Sequence, residues 1–137
     1  MIVALDAEAV SALAGPDTSS KRRVRRALEA AARTKRDVVV PTLVLAELYR
    51  GVGRSQLIDA LLARNEHAIE LRDTDRDLAR FAGAVLHGAG LGSAHIVDAH
   101  VVAAAVEAGG GIALTGDEAD LTRLAAPYRS VLVQPLG

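Results

Sequence analysis

Apolar residues along this chain follow two rhythms. Unbroken apolar runs occur at residues 2–5 and 38–40, and short, mostly apolar runs at 68–71, 112–115 and 131–134, whose polar members are Glu70, Thr115 and Gln134. Runs this short without polar alternation read as strands covered on both faces. Between them, apolar positions recur at three- and four-residue spacing. That spacing predicts helices over 7–14, 21–35, 42–51, 55–65, 75–87, 96–108 and 118–125. Gly15-Pro16, Gly51 with Gly53, Gly109 to Gly111 and Pro127 punctuate these elements, and Ser55 and Thr74 read as helix caps. Strands alternating with helices predict an α/β fold with a five-stranded, mostly parallel sheet flanked by helices. No internal repeat, low-complexity tract or long linker divides the chain, so 1–137 reads as a single domain.

Composition narrows the chemistry. There is no cysteine, which excludes a disulfide framework, a zinc thiolate site and a thiol nucleophile. No apolar stretch reaches the roughly 18 residues of a membrane span, and no basic segment precedes the first apolar run. A cytoplasmic protein without membrane association is expected. The net charge of −1 names no partner. Its distribution is uneven, however, because half of the 16 Lys and Arg residues lie between Lys21 and Arg36. A basic ridge of this kind can attract a polyanion, and Arg22, Arg23, Arg25 and Arg26 are its candidate phosphate contacts. The ordinary alternative is a solvated helix face.

Four acids stand on otherwise apolar elements, where a charge without a partner is costly. Asp6 ends the first strand, Glu47 lies within LVLAELY, Asp98 lies within HIVDAHVVAAAV, and Asp117 follows the fourth strand. Parallel strands bring Asp6 and Asp117 to the same sheet edge, where α/β proteins bind their ligands. Singly, each acid has a plain role. Asp6 and Asp117 also read as helix caps, Asp98 as a partner of the positive end of its helix, and Glu47 as part of an exposed stripe. Together they imply a site, because four converging carboxylates need cations. A hard divalent ion, Mg²⁺ or alternatively Mn²⁺, is the natural neutraliser, and it suits phosphoryl chemistry. Asp6 is then expected within shared metal-coordination distance of Asp98 and Asp117.

The segments IVALD, VLAELYRG, IVDAHVVAAA and LTGDEADL, in this order and spacing, resemble the PIN-domain family. More narrowly they resemble the VapC-type toxin ribonucleases of type II toxin–antitoxin pairs. The resemblance spans essentially the whole chain. It implies a three-layer α/β/α fold and Mg²⁺-dependent endonucleolytic cleavage of RNA that leaves a 5′-phosphate. It makes Asp6, Glu47, Asp98 and Asp117 the metal-binding catalytic acids. Thr115 becomes a supporting hydroxyl, and Asp120 becomes a fifth acid that otherwise reads as an ordinary helix-turn residue. It also implies a small antitoxin whose tail enters the active-site groove, and a homodimer, for which the apolar helix faces near residues 43–62 or 78–91 are candidates.

Remaining features are weighed against this picture. Arg50 is a further candidate RNA contact, or a partner for one of the acids. The glycines of GAGLGSAH follow a helix rather than a strand, which suits a loop rather than a dinucleotide fingerprint. His95 and His100 flank Asp98 without zinc-ligand spacing and read as structural or peripheral. A non-catalytic PIN-like module that binds RNA or protein is the main alternative. A receiver-like or phosphatase-type protein fits Asp6 but lacks a lysine after a late strand, since Lys21 and Lys35 both lie in the basic helix.

Overall fold

The computed structural model describes residues 1–137. In chain order the elements are β1 (Ile2–Leu5), α1 (Ala7–Ala14), α2 (Ser19–Arg33), β2 (Asp37–Pro41), α3 (Thr42–Leu48) and α4 (Val52–Arg64). They continue with β3 (Ile69–Arg72), α5 (Arg76–Ala89), α6 (Ile96–Glu107), β4 (Gly111–Thr115), α7 (Glu118–Ala125) and β5 (Val131–Pro135). One 3₁₀ turn, Ser93–His95, leads into α6.

All five strands are parallel and lie in the order β3-β2-β1-β4-β5. The chain builds outward from β1 through β2 to β3, then crosses back and adds β4 and β5 on the other side. The carboxyl ends of β1 and β4 therefore form the topological switch point, where open α/β sheets leave a crevice. Register fixes what faces it. Leu5 pairs with Leu114, and the Asp6 N–H donates to the Leu114 carbonyl at 3.2 Å, so Asp6 emerges beside Thr115.

The central runs are buried as their patterns require, whereas the two edge strands are not covered on both faces: Glu70 and Leu71 in β3 and Leu132 in β5 are exposed. Every residue of β1 is buried, as are Val38, Val39 and Val40 in β2 and Ala113, Leu114 and Thr115 in β4. Helices α1, α2 and α4 pack together on one side, and α5, α6 and α7 on the other. Helix α6 is buried continuously from Ala99 to Ala105 and crosses β1, β2, β4 and β5. Its alanines let the backbone approach the sheet closely. Larger side chains such as Leu5, Leu114, Leu121 and Leu124 fill the remaining space, each worth about 1.5–3 kcal/mol in burial.

Three local features differ from the sequence pattern. Helix α3 stops at Leu48, and α4 starts at Val52, so Gly53 and Ser55 lie inside α4. The break belongs to Gly51, whose φ of +86° is open to glycine at little cost. At α5 the cap is Asp75 rather than Thr74. Its Oδ1 accepts from the Leu78 N–H at 2.9 Å, and its carboxylate is also held by Arg72. The third difference lies in the run of three glycines, which ends α6 and also starts β4. At Gly111, with φ +157°, a Cβ would overlap the Ile2 carbonyl of the neighbouring strand.

Candidate functional site

The site begins where β1 ends. Asp6 is 2% exposed and uses both carboxylate oxygens. Oδ1 accepts from the Ala9 N–H at 2.8 Å, capping α1, and Oδ2 accepts from the Gly116 N–H at 3.1 Å, tying β1 to the turn after β4. Burial pushes the Asp6 carboxyl above its usual range, while hydrogen bonds from Thr115, Ala9 and Gly116 pull it back. Thr115 is fully buried and links the two acids, because its Oγ also accepts from the Asp117 N–H at 2.8 Å. Asp117 in turn caps α7, with Oδ1 accepting from the Asp120 N–H at 3.3 Å. Both strand-end acids are thus helix caps and cleft residues together; a carboxylate has lone pairs enough for each role.

Asp98 projects from the first turn of α6. Its carboxyl is pushed up to about 6, mainly by burial and then by Asp6, Asp117, Glu47 and Asp120. All four neighbouring acids therefore act on one half-buried group. Glu47 comes from α3 and is exposed at the rim. Together these residues line a cleft of about 240 Å³, with Glu8, Ala7, Ala94, His95 and Val97 completing the wall. Its ionisable lining is six carboxylates and one imidazole, with neither Lys nor Arg.

A donor set of carboxylate oxygens fits a hard divalent cation and little else. The tightest arrangement is His95, Asp98 and Asp120, whose ligand atoms all lie within 4.8 Å of one another. Asp6 and Asp117 line the same cleft as Asp98, but the expected grouping of Asp6, Asp98 and Asp117 at shared coordination distance does not form; Asp120 and His95, not the strand-end acids, approach Asp98 that closely.

The arginines of the basic helix do not line this cleft. Arg22 pairs with Asp17 at 3.2 Å. Arg23 and Arg26 line a larger groove of about 420 Å³ between α2 and the sheet, beside Ala27, Ile112 and Gln134. Arg25 faces a concavity shared with Leu13 and Leu61. Arg50 is exposed after α3. Arg54 joins α4 to α1, donating to Ser11 Oγ at 2.9 Å and to the Leu48 carbonyl at 3.2 Å.

Comparison with known proteins decides the family. The PIN domain family model matches residues 3–127. The chain belongs to the PIN-domain family. No curated protein matches it. Among solved structures, this PIN domain is similar to a chain in the crystal structure of VapBC2 from Rickettsia felis bound to a DNA fragment from their promoter. The TM-score is 0.67 at 19% identity, over 98% of each chain. That likeness is one of fold.

Glu8 was not singled out from the sequence, and His95, which read as structural or peripheral, lines the cleft. Glu8 sits in the first turn of α1, and its carboxyl is raised by burial and then by Asp6 and Asp117. Its side chain lies over Gly116, where a Cβ would overlap it. His95 places Nδ1 3.4 Å from Asp120 Oδ2. The spacing held a signal in this case, because His95 and Asp98 are three residues apart, which is helix-neighbour spacing. His100 is the structural residue its pattern suggested: buried, with Nδ1 2.7 Å from the Ile96 carbonyl.

Proposed function

We propose that this PIN domain is a Mg²⁺-dependent endoribonuclease and the toxin of a type II toxin–antitoxin pair, with Asp6, Glu47, Asp98 and Asp117 as its catalytic, metal-binding acids. The observation that carries the reading is the convergence of four acids on a desolvated Asp98 in a cleft lined by neither Lys nor Arg. Membership of a nuclease family supports it.

The chain's own residues have distinct parts in this reading. Asp6 is fixed by two backbone N–H groups and cannot swing away. Thr115 positions Asp6 and Asp117 relative to each other. Asp98 is raised by burial and by four neighbouring acids, a load that a bound cation would relieve. Glu47, on the exposed rim, and Asp120, beside His95, complete the acidic wall. When bound, Mg²⁺ or Mn²⁺ supplies an activated water and neutralises charge on the scissile phosphate. Phosphate contacts away from the cleft fall to Arg22, Arg23, Arg25, Arg26 and Arg50, because an acidic cleft does not itself attract RNA. The cognate antitoxin is placed over the cleft, where a basic side chain would meet the unpaired carboxylates. The exposed Tyr49, Val52 and Leu57 around α4 support pairing with a second copy. The whole of 1–137 acts as one nuclease domain on cytoplasmic RNA; no helix is long and apolar enough to cross a membrane.

Purified protein incubated with structured RNA tests this. Cleavage should stop in EDTA, return with Mg²⁺ or Mn²⁺, and be absent from folded Asp6→Asn and Asp98→Asn. A non-catalytic binder would hold RNA in EDTA and never shorten it.

A further inference from the structure

We infer that His95 is a nitrogen ligand of the metal centre in this cleft and biases that centre toward Mn²⁺ over Mg²⁺. The inference rests on the reading of the cleft as a metal site and adds to it a residue outside the acidic set.

Geometry carries it. His95 closes the 3₁₀ turn Ser93–His95, and Asp98 follows three residues later in the first turn of α6, so both side chains share one face. Asp120 reaches the same point from α7. The three ligand atoms lie within 4.8 Å of one another, with His95 Nδ1 and Asp120 Oδ2 3.4 Å apart. An octahedral ion with bonds of about 2.1 Å sets neighbouring ligands about 3 Å apart and opposite ones about 4.2 Å apart. The trio is thus close to coordination distance as it stands, and small side-chain rotations complete it. His95 has no polar partner other than Asp120, and its side chain keeps 26% of its exposure, so the ring is free to turn toward an ion.

The donor type sets the preference. Mg²⁺ takes oxygen ligands and holds its waters tightly, whereas first-row transition ions accept imidazole alongside carboxylate. A purely carboxylate cleft accepts both ions and favours Mn²⁺ only through its easier dehydration; an imidazole at ligand distance widens that preference. The contrasting role for His95 is a simple ion pair with Asp120, which involves no metal bond.

Pulsed electron paramagnetic resonance on the full chain loaded with Mn²⁺ separates these roles. A nitrogen coupling to Mn²⁺ is expected, and it should change to the ¹⁵N pattern in protein made with ¹⁵N-histidine. In His95→Gln the coupling should vanish. Calorimetry on that variant should show Mn²⁺ bound about 10-fold more weakly, with Mg²⁺ affinity changed by less than about threefold. Bound Mn²⁺ without nitrogen coupling in the wild-type protein overturns the inference and leaves the carboxylate reading standing. Coupling that persists in His95→Gln also overturns it, since another histidine would be the ligand. Absence of any Mn²⁺ binding overturns the carboxylate reading, and the inference with it.

Discussion

Replacing Asp98 with Asn should stabilise the metal-free protein near neutral pH, although it removes a central site residue. The Asp98 carboxyl is raised from 3.8 to about 6 by burial and by the surrounding acids. An acid with a raised folded pKa binds its proton more tightly when folded. Its ionisation penalty is therefore absent well below pH 3.8, grows between 3.8 and about 6, and is complete above that. A fully dry group shifted this far would lose about 3 kcal/mol. Asp98 keeps contact with water in the cleft, and screening lowers the figure to about 1–2 kcal/mol. Asn carries no such penalty. In EDTA at about pH 7.5, Asp98→Asn should thus melt about 3–6 °C above wild type, and the gap should narrow toward about pH 4. Added Mg²⁺ should reverse the order. An ion at about 100 times its Kd stabilises the wild type by about 2.7 kcal/mol, while the variant gains little. Thermal unfolding followed by circular dichroism across this pH range, with and without Mg²⁺, reads all three effects. A variant that is less stable than wild type in EDTA near neutral pH, or a gap that does not change with pH, would refute the electrostatic reasoning.

Other expectations follow from particular contacts. Asp6→Ala removes the α1 cap and the tie to Gly116, and should cost about 1–3 kcal/mol, whereas Asp6→Asn keeps the Oδ1 cap, loses the Gly116 tie and sheds the cost of a buried charge, and should lose less; chemical denaturation distinguishes the two. Gly111→Ala should lower stability by about 3 kcal/mol or more, because its Cβ meets the Ile2 carbonyl at a positive φ; a loss under about 1 kcal/mol would show that β1 and β4 separate easily. Arg72→Met should cost about 1 kcal/mol by removing a bidentate pair with Glu107, at 2.9 and 3.0 Å, that pins β3 to the end of α6; salt should weaken the wild type toward the variant in urea titrations.

The sheet was readable because its central strands are covered on both faces and so carry few polar residues. Residues 2–5 and 112–115 show this most clearly, and parallel pairing then puts Asp6 next to Thr115 without further information. The split between α3 and α4 was harder to place, since Gly51 and Gly53 both look like terminators and only the backbone at Gly51 turns to positive φ. The four acids were legible as charges out of place in apolar surroundings. Glu8 was not, because an acid in the first turn of a helix is ordinary until Gly116 is seen beneath it. His95 became a cleft residue only when α7 brought Asp120 to it, a contact between residues 25 positions apart in sequence. The basic run showed the opposite limit. Its arginines are adjacent in sequence, yet helix geometry sends Arg22, Arg23 and Arg25 to different surroundings. For Asp6, capping and site membership looked like alternatives in the sequence; in the fold, one oxygen caps α1 and the other joins the β4 turn.

The most direct test of the central claim is sequencing of RNA ends after induced expression, with Asp98→Asn expressed to the same level. New 5′-phosphate ends should appear at discrete sites with the wild-type protein and none above background with the variant. The same ends appearing at the same sites with Asp98→Asn would contradict it.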